Sequence, residues 1–335
     1  MRCLLTGATG FVGRNFLLEA VRQGRYRTIV APVRNLERFR AQCRGDGFDD
    51  IPSIVEPFEA VAPHWDFTAF APFDHVVHCA GVLAASSRED YFRINVQGTV
   101  RLVETLAGAP RMVVLSSQAA TGPSPSGKTM RDEIDPPAPL TGYGESKLEM
   151  EREVLRRFPD KALLFLRPPM VLGPRDRATL PLFQIVRSPL RPRVGWRRKQ
   201  YSFIAVDDLV RAIFAALEAS DRWASLDLKS YFVAHGDAIT DEQLLATCGR
   251  IAGRVGVAVP IPTPLVVGLS RVVERVGVLR ERIPNLRADR VRELLPERWV
   301  VSARAFENAF RWKATTSLEK ALAETEAWYR KTGQL

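Results

Sequence analysis

The sequence predicts an α/β fold: a doubly wound parallel sheet with a smaller, mostly helical C-terminal domain. Three observations point there. The chain opens on the apolar run Arg2-Cys3-Leu4-Leu5-Thr6, which passes straight into glycines at 7, 10 and 13 and then into an amphipathic stretch. Apolar strand-like runs alternate with helical patterns through the first half, the order expected of parallel βαβ units. Past residue 236 the chain reads as mostly helical.

In order, strands are expected at Cys3–Leu5, Thr28–Val33, Ser53–Val55, Val76–Cys79, Met112–Ser116 and Ala162–Leu166. Helices are expected at Phe11–Gln23, Asn35–Cys43, Arg88–Ala107 and Tyr143–Phe158. Gly24 is placed to cap the first helix at its C-terminus. Right-handed crossovers carry the strand carboxyl ends to one rim, and ligands bind along that rim. A Pro- and Arg-rich stretch from Pro174 to Arg198 leaves the sheet. Tyr201–Ile204 and Tyr231–Val233 return as strands, with a helix over Asp207–Leu217 between them. The first domain is therefore expected to comprise 1–175 rejoined by 202–235, and the second 176–201 with 236–335. In the second, Leu265, Val266, Leu269, Val272, Val273 and Val276 fall on one helical face. That stripe reads as core or as a lid over a substrate cleft; a helix lying on a membrane surface is the weaker reading.

The N-terminal turn has the makings of a diphosphate site. Backbone must come close to the anion there, and a Cβ at glycine 7, 10 or 13 would block it. The helix that follows aims its free N–H groups and positive dipole end at the same point. Downstream, Tyr143 and Lys147 stand four residues apart, on one face of an expected helix. A phenol has an ordinary pKa of about 10 and is a poor base at neutral pH. A nearby ammonium favours the phenolate. A drop of about 3 units takes roughly 4 kcal/mol, within reach of two close cations in a partly dry site. Such a tyrosine can take a proton from an alcohol or give one to a carbonyl. Ser117, at the carboxyl end of a strand, adds a hydroxyl for the reacting oxygen. Strand alternation points Ser116 and Ser117 to opposite faces, and Ser117 is the one chosen.

Composition sets the outer bounds. The 335 residues carry 48 Lys and Arg against 38 Asp and Glu, a net charge of +10. A basic surface favours anionic partners. Its densest patch is Arg187, Arg191, Arg193, Arg197, Arg198 and Lys199. It reads first as a solvated loop, and second as a substrate-side loop meeting a phosphate, a carboxylate or a membrane surface. The sequence has no zinc finger, RNA-binding aromatic motif or helix-turn-helix pattern, so no nucleic-acid partner is expected. The four cysteines lack metal-ligand spacing, and no metal is expected. Cys3 and Cys79 read as small buried hydrophobes in core strands. No run is long and apolar enough to span a bilayer. The first strand begins at residue 2, no signal peptide is recognised, and a reducing cytoplasm is the expected compartment. Gly122-Pro123-Ser124-Pro125-Ser126-Gly127-Lys128-Thr129 satisfies the P-loop pattern, yet its two prolines remove N–H donors and no helix follows. It reads instead as a flexible segment near the substrate entrance.

Several segments together resemble the extended branch of the short-chain dehydrogenase/reductase family over nearly the full length. They are Thr6-Gly7-Ala8-Thr9-Gly10-Phe11-Val12-Gly13, His78-Cys79-Ala80-Gly81, Asn95-Val96-Gln97-Gly98-Thr99, Ser116-Ser117, Tyr143-Gly144-Glu145-Ser146-Lys147, Arg167-Pro168-Pro169-Met170-Val171-Leu172-Gly173-Pro174 and Phe203-Ile204-Ala205-Val206-Asp207-Asp208. The resemblance implies a Rossmann domain and a catalytic Ser117, Tyr143 and Lys147. It implies cofactor contacts from Gly7, Thr9, Gly10, Phe11, Val12, Ala80, Gly81, Tyr143 and Lys147, with Lys147 on the nicotinamide ribose and Pro168-Pro169 beside the nicotinamide. Asn95 matches the family's helix asparagine, a structural group in this branch. The family's aspartate after the third strand is not evident; Glu56-Pro57-Phe58 stands about there.

The second strand ends Ala31-Pro32-Val33-Arg34-Asn35, without the acid that an NAD site uses for the ribose 2′-hydroxyl. Arg34, assisted by Arg38, can pair with a 2′-phosphate, so NADP is expected over NAD. Met170 stands where nucleotide-sugar epimerases of the family usually carry Asn, and Arg167-Pro168-Pro169 is more like the reductases and hydroxysteroid dehydrogenases. The expected reaction is hydride transfer between a secondary alcohol and a ketone (or aldehyde) on an apolar small molecule, lipid-, sterol- or phenylpropanoid-like. Two alternatives stand beside it: nucleotide-sugar epimerisation or dehydration, and a non-catalytic NADP-binding sensor or scaffold. Relatives often dimerise through the Arg88–Ala107 and Tyr143–Phe158 helices, and a homodimer is expected by that analogy alone.

Overall fold

The apolar runs of the first half become strands, and the amphipathic stretches between them cover both faces of the sheet they form. In the computed structural model, residues 1–70, 72–275 and 288–335 are described. The first half runs β1 (Arg2–Thr6), α1 (Phe11–Arg22), β2 (Thr28–Val33), α2 (Leu36–Gly45), β3 (Val55–Glu59), β4 (His75–His78), α3 (Arg88–Tyr91), a π-helical stretch (Phe92–Gln97), α4 (Gly98–Thr105), β5 (Arg111–Leu115), α5 (Gly142–Arg157) and β6 (Leu163–Arg167). Then come β7 (Met170–Leu172), α6 (Leu180–Ile185), β8 (Leu190–Val194), β9 (Gln200–Tyr201), β10 (Phe203–Ala205), α7 (Val206–Glu218) and β11 (Ser230–Phe232). The rest is β12 (Ile239–Thr240), α8 (Asp241–Ile251), β13 (Val257–Ile261), α9 (Thr263–Arg275), α10 (Ala288–Leu294), β14 (Arg298–Trp299), α11 (Arg304–Phe310) and α12 (Leu318–Lys331).

Seven parallel strands form the main sheet in the order β3-β2-β1-β4-β5-β6-β11, a Rossmann arrangement. The order reverses between β1 and β4, where Leu4 pairs with Val76 and Thr6 with His78. Beyond the strand ends at such a reversal lies the ligand crevice of doubly wound sheets. The period-2 alternation of each strand sorts its side chains between two cores. Leu4, Val76, Met112, Val114, Leu163 and Phe165 pack with Val100, Val103, Met150 and Val154 from α4 and α5. Cys3, Leu5, Val77, Val113, Leu115, Leu164 and Leu166 pack on the other face with Phe16, Phe39, Leu209, Ile213 and Phe214 from α1, α2 and α7. Each such burial contributes roughly 1.5–3 kcal/mol, so a one-residue slip of any strand is strongly disfavoured. Phe306, Phe310 and Trp312, which the sequence groups with the second domain, pack into this second core.

Five local expectations change. The third strand begins at Val55, where the expected strand ended, and runs to Glu59; as the edge strand it tolerates Pro57. The expected Tyr201–Ile204 strand divides at Ser202. β9 joins β12 and β14, while β10 joins β7. The hydroxyl of Ser202 accepts from Val301 N at 3.0 Å and so holds that division. The basic stretch 187–199 is not a loop: it contains β8, paired in parallel with β13. Arg191 is buried and donates to the carbonyls of Leu245 and Arg254. The apolar face of α9 splits, with Val266 and Val273 buried and Leu265, Leu269 and Val272 exposed; Val276 lies outside the described residues. Cys3 is buried in β1, whereas Cys79 stands one residue past β4 and is half-buried. No helix among the described residues is long and apolar enough to cross a membrane.

Candidate active site

β1 delivers Gly7 to the crevice with φ +74°, a left-handed conformation that favours glycine. A Cβ there would stand 2.7 Å from both Ala80 N and Cys79 C. Gly13 lies inside α1, yet its Cβ would stand 2.2 Å from Gly7 O, so the helix rests directly on the turn. Gly10 is exposed, donates to Gly7 O at 2.9 Å and starts α1 without a capping side chain. The N–H groups of Phe11 and Val12 at this helix start are suited to an anion. The residues fit a dinucleotide: the cradle is one that a Cβ would fill, and its helix N-terminus lacks a side-chain partner.

Behind the turn, Thr6 Oγ1 lies 2.7 Å from His78 Nδ1, and His78 Nε2 lies 2.9 Å from Thr99 Oγ1. Thr99 donates to Asn95 O at 2.7 Å, so it accepts from Nε2–H, and Nδ1 accepts from Thr6. Burial, and after it the Lys147 ammonium, push His78 down to about 3. His78 is thus a neutral strut holding β1, β4 and α4 in register. The π-helical stretch carries Asn95 inward. Its Oδ1 accepts from Val82 N at 2.8 Å, and its Nδ2 donates to Val82 O at 3.2 Å and to Ser146 Oγ at 2.9 Å. The segment Cys79–Val82 is thereby pinned to α5, and Asn95 has the structural part that the resemblance implies.

Thr141 caps α5 by accepting from Gly144 N at 3.2 Å. The helix then sets Tyr143 and Lys147 on one face. Lys147 is buried, and its Nζ donates to Leu115 O at 2.8 Å, at the end of β5. A Cβ on Gly81 would stand 3.3 Å from that Nζ. Burial draws the ammonium down to about 8, against the opposing pull of Glu151 and Cys79. Glu151, one turn further on, accepts from Arg167 Nε at 3.0 Å and from Ser230 Oγ at 2.9 Å. Tyr143 is half-buried, its ring centroid 6.2 Å from that of Tyr91. Ser117 is half-buried and caps the short turn Gln118–Ala120, accepting from Ala119 N at 3.1 Å. Ser116 is buried. Gly144 brings serine and tyrosine to one rim, because its Cβ would stand 2.4 Å from Ala119 O. Gln118 N donates to Pro168 O at 2.9 Å, which sets the Pro168-Pro169 turn beside the same serine.

Arg34 is exposed beyond β2, next to Asn35, whose side chain caps α2 by accepting from Arg38 N at 2.7 Å. The acid at the end of β3 is Glu59 rather than Glu56. It pairs in register with Val33 and accepts from Leu36 N at 3.1 Å. Sequence reading missed Glu59, the Thr6–His78–Thr99 chain and the part played by Gly144. A signal for the last was present: glycine in the first turn of a helix costs about 1 kcal/mol relative to alanine and asks for a packing reason. Lys128 of the P-loop lookalike pairs with Asp135 and lies 3.7 Å from Asp132. No cluster of metal-ligating side chains occurs among the described residues.

A reversed parallel sheet, a glycine cradle and a Tyr/Lys helix meeting a serine turn define a dinucleotide-dependent oxidoreductase of the extended short-chain dehydrogenase/reductase type. The model of the NAD dependent epimerase/dehydratase family matches residues 3–227, and the chain belongs to that family. It is 26% identical to the ceramide reductase of Caulobacter vibrioides over 340 residues, 99% of this chain and 95% of that one. It is 25% identical to the Homo sapiens sterol-4-alpha-carboxylate 3-dehydrogenase, decarboxylating, over 249 residues, 71% of this chain and 63% of that one. Among solved structures, the UDP-glucuronic acid 4-epimerase from Bacillus cereus in complex with UDP-glucuronic acid and NAD is similar with a TM-score of 0.76. That likeness covers 99% of this chain and 100% of the other at 17% identity, and shows the fold.

Proposed function

We propose that the chain is an NADP-preferring oxidoreductase that interconverts a secondary alcohol and a ketone on an apolar, lipid- or sterol-like small molecule. One observation carries the reading: Lys147 is a buried ammonium one helical turn from Tyr143, held by Leu115 O against Gly81. Gly7, Thr9, Gly10, Phe11 and Val12 would hold the diphosphate, Ala80 and Gly81 the far side of the crevice, Lys147 the nicotinamide ribose, and Pro168-Pro169 the ring. When bound, the nicotinamide supplies or accepts the hydride. Tyr143 gives its proton to the carbonyl oxygen in reduction and takes it back in oxidation. Lys147, with its pKa near 8, is cationic at neutral pH and favours the phenolate. The Ser117 hydroxyl donates to the same substrate oxygen.

Two features support the finer choices. Arg34 is exposed where a 2′-phosphate would lie, and Glu59 is engaged by Leu36 N instead of facing a ribose unopposed. The relatives named for ceramide and sterol chemistry favour an apolar substrate. The test is a panel of long-chain and steroidal ketones with NADPH, followed at the reduced-nicotinamide absorbance band. Wild type should consume cofactor stoichiometrically. Tyr143→Phe should bind NADPH as wild type does and lose about 10²–10⁴-fold in kcat. Turnover of a nucleotide sugar with no net absorbance change would replace this reading with an epimerase, and equal function of wild type and Tyr143→Phe would replace it with a sensor.

A further inference from the structure

Exposed apolar side chains lie along three connected elements of the C-terminal half: β8, its partner β13, and α9, which follows β13. Among the described residues they include Leu190 and Trp196 in and after β8, Val255, Val257 and Val259 before and in β13, and Leu265, Leu269 and Val272 on α9. Val255 is 95% exposed and Trp196 70%, so these are not rim residues with a buried body. Their arrangement is ordered. Val257 stands opposite Leu190 and Val259 opposite Pro192, so the four side chains leave one face of the β8/β13 ribbon. Arg191, of opposite parity, is buried on the other face. Pro262 alone separates β13 from α9. On α9, Val266, Ser270 and Val273 turn inward, while Leu265, Leu269 and Val272 form an outward stripe at i, i+4, i+7 spacing. Gly195 N donates to Ile261 O at 2.8 Å, which ties the end of β8, and Trp196 after it, to the start of that helix.

The charges that these segments carry are predominantly of one sign. Segments 187–199 and 254–275 contain nine Lys and Arg and one acid, Glu274. Arg193, Arg197 and Arg198 reach out to Asp241, Glu297 and Glu242. Arg187, Arg254, Arg271 and Arg275 are exposed.

We infer that this face docks on an anionic phospholipid surface, with the outer stripe of α9 and the β8/β13 ribbon at the headgroup–acyl boundary and the arginines among the lipid phosphates. An apolar stripe flanked by arginines is the pattern of an interfacial helix, and tryptophan sits well at the headgroup level. Anionic lipid complements these exposed arginines. A second copy of the chain does not, since apposing this face with itself brings like charges together. The inference is independent of the substrate reading: a membrane-docked enzyme of any substrate class would satisfy it.

The test is flotation of the full chain with vesicles of phosphatidylcholine, alone or mixed with phosphatidylglycerol. Binding to the mixed vesicles should exceed binding to the neutral ones by about tenfold. It should fall on moving from 0.1 M to 1 M salt, as the screening length drops from about 10 Å to about 3 Å. Leu269→Asp with Val272→Asp should abolish binding to both vesicle types. Arg271→Gln with Arg275→Gln should remove the preference for the anionic ones. All four positions are exposed, so the unfolding midpoint and NADPH affinity should stay at wild-type values. The difference in emission between wild type and Trp196→Phe should shift to the blue with anionic vesicles. Absence of flotation, or flotation indifferent to both variant pairs, overturns the inference. So does a dimer in sedimentation velocity that Leu269→Asp with Val272→Asp dissolves, which would make the face a protein interface.

Discussion

Replacing glycines 24, 13 and 7 by alanine separates two costs that usually arrive together. Gly24 follows α1 at φ +60° with nothing within 4 Å of its missing Cβ. Gly24→Ala therefore carries only the left-handed penalty, about 1 kcal/mol. Gly13 is helical, so alanine there gains about 1 kcal/mol of propensity. Against that, its Cβ must stand 2.2 Å from Gly7 O and 2.7 Å from Gly7 C. Both obstacles are backbone, and only a retreat of α1 from the turn relieves them. Overpacking costs about 1–3 kcal/mol, and two backbone clashes place this case at the upper end, for a net loss of about 2 kcal/mol. Gly7→Ala combines a positive φ with backbone atoms at 2.7 Å, for a loss of about 3–5 kcal/mol. Urea unfolding gives the three stabilities, and titration of NADPH by its fluorescence gives the three affinities. Gly24→Ala should keep wild-type affinity, because it lies about 18 Å along the helix from the cradle. Gly13→Ala and Gly7→Ala should each weaken NADPH by more than about tenfold, the loss of one well-made charged hydrogen bond. If Gly13→Ala proves as mild as Gly24→Ala in both measurements, the close rest of α1 on the turn is not what makes the cradle.

The remaining predictions concern cofactor choice and acid stability. Arg34→Ala should lower kcat/KM with NADPH by about 10–100-fold, the value of a charge-assisted pair, and leave NADH unchanged; an unmoved NADPH to NADH ratio rejects the 2′-phosphate assignment. His78 has a folded pKa of about 3 against its ordinary 6.5, so between those values the unfolded chain takes a proton that the folded chain refuses. Its contribution is complete above about pH 6.5 and is lost as pH falls toward about 3, at up to about 1.4 kcal/mol per pH unit. Urea midpoints from pH 7 to 4 should therefore fall less steeply in His78→Gln than in wild type, and parallel slopes would discard the buried neutral histidine.

How legible the molecule was depended on whether a position is governed by neighbours in sequence or in space. β2 was read at both ends, Thr28 to Val33, because an apolar run lies between polar flanks. The third strand was expected too early, at Ser53–Val55 instead of Val55–Glu59, because an edge strand carrying Glu56, Pro57 and Glu59 shows no apolar alternation. Tyr143 and Lys147 were legible because helix spacing alone puts them on one face. Alternation separates Ser116 from Ser117 without saying which of them faces the rim, and what distinguishes them in space is a turn that buries Ser116 and leaves Ser117 half-buried. Arg191 read as one of a solvated run, and no local pattern could show that two backbone carbonyls await its guanidinium. The stripe of α9 occupies one arc of the helix, and hydropathy cannot say which edge of an apolar arc faces protein. Only the placement of its neighbours divides Val266 and Val273 from Leu265, Leu269 and Val272.

The tyrosine stands between two fixed points, and each belongs to a different part of the chain. On one side, Lys147 is tied to the end of β5 and, through Glu151 and Arg167, to β6, so its ammonium is set by the sheet. On the other, Thr141 accepts from Gly144 N and donates to Glu293 Oε1 at 3.2 Å, so the helix cap is tied to α10. Trp299 Nε1 donates to Glu293 O at 2.8 Å, and β14, which carries Trp299, pairs with β9. A capping hydroxyl contributes about 1 kcal/mol to its helix. Movement of α10 therefore acts first on the turn that contains Tyr143 and hardly at all on Lys147, one turn deeper and held by the sheet. Under the proposed function, such a division keeps the ammonium still while the phenol adjusts to the substrate oxygen.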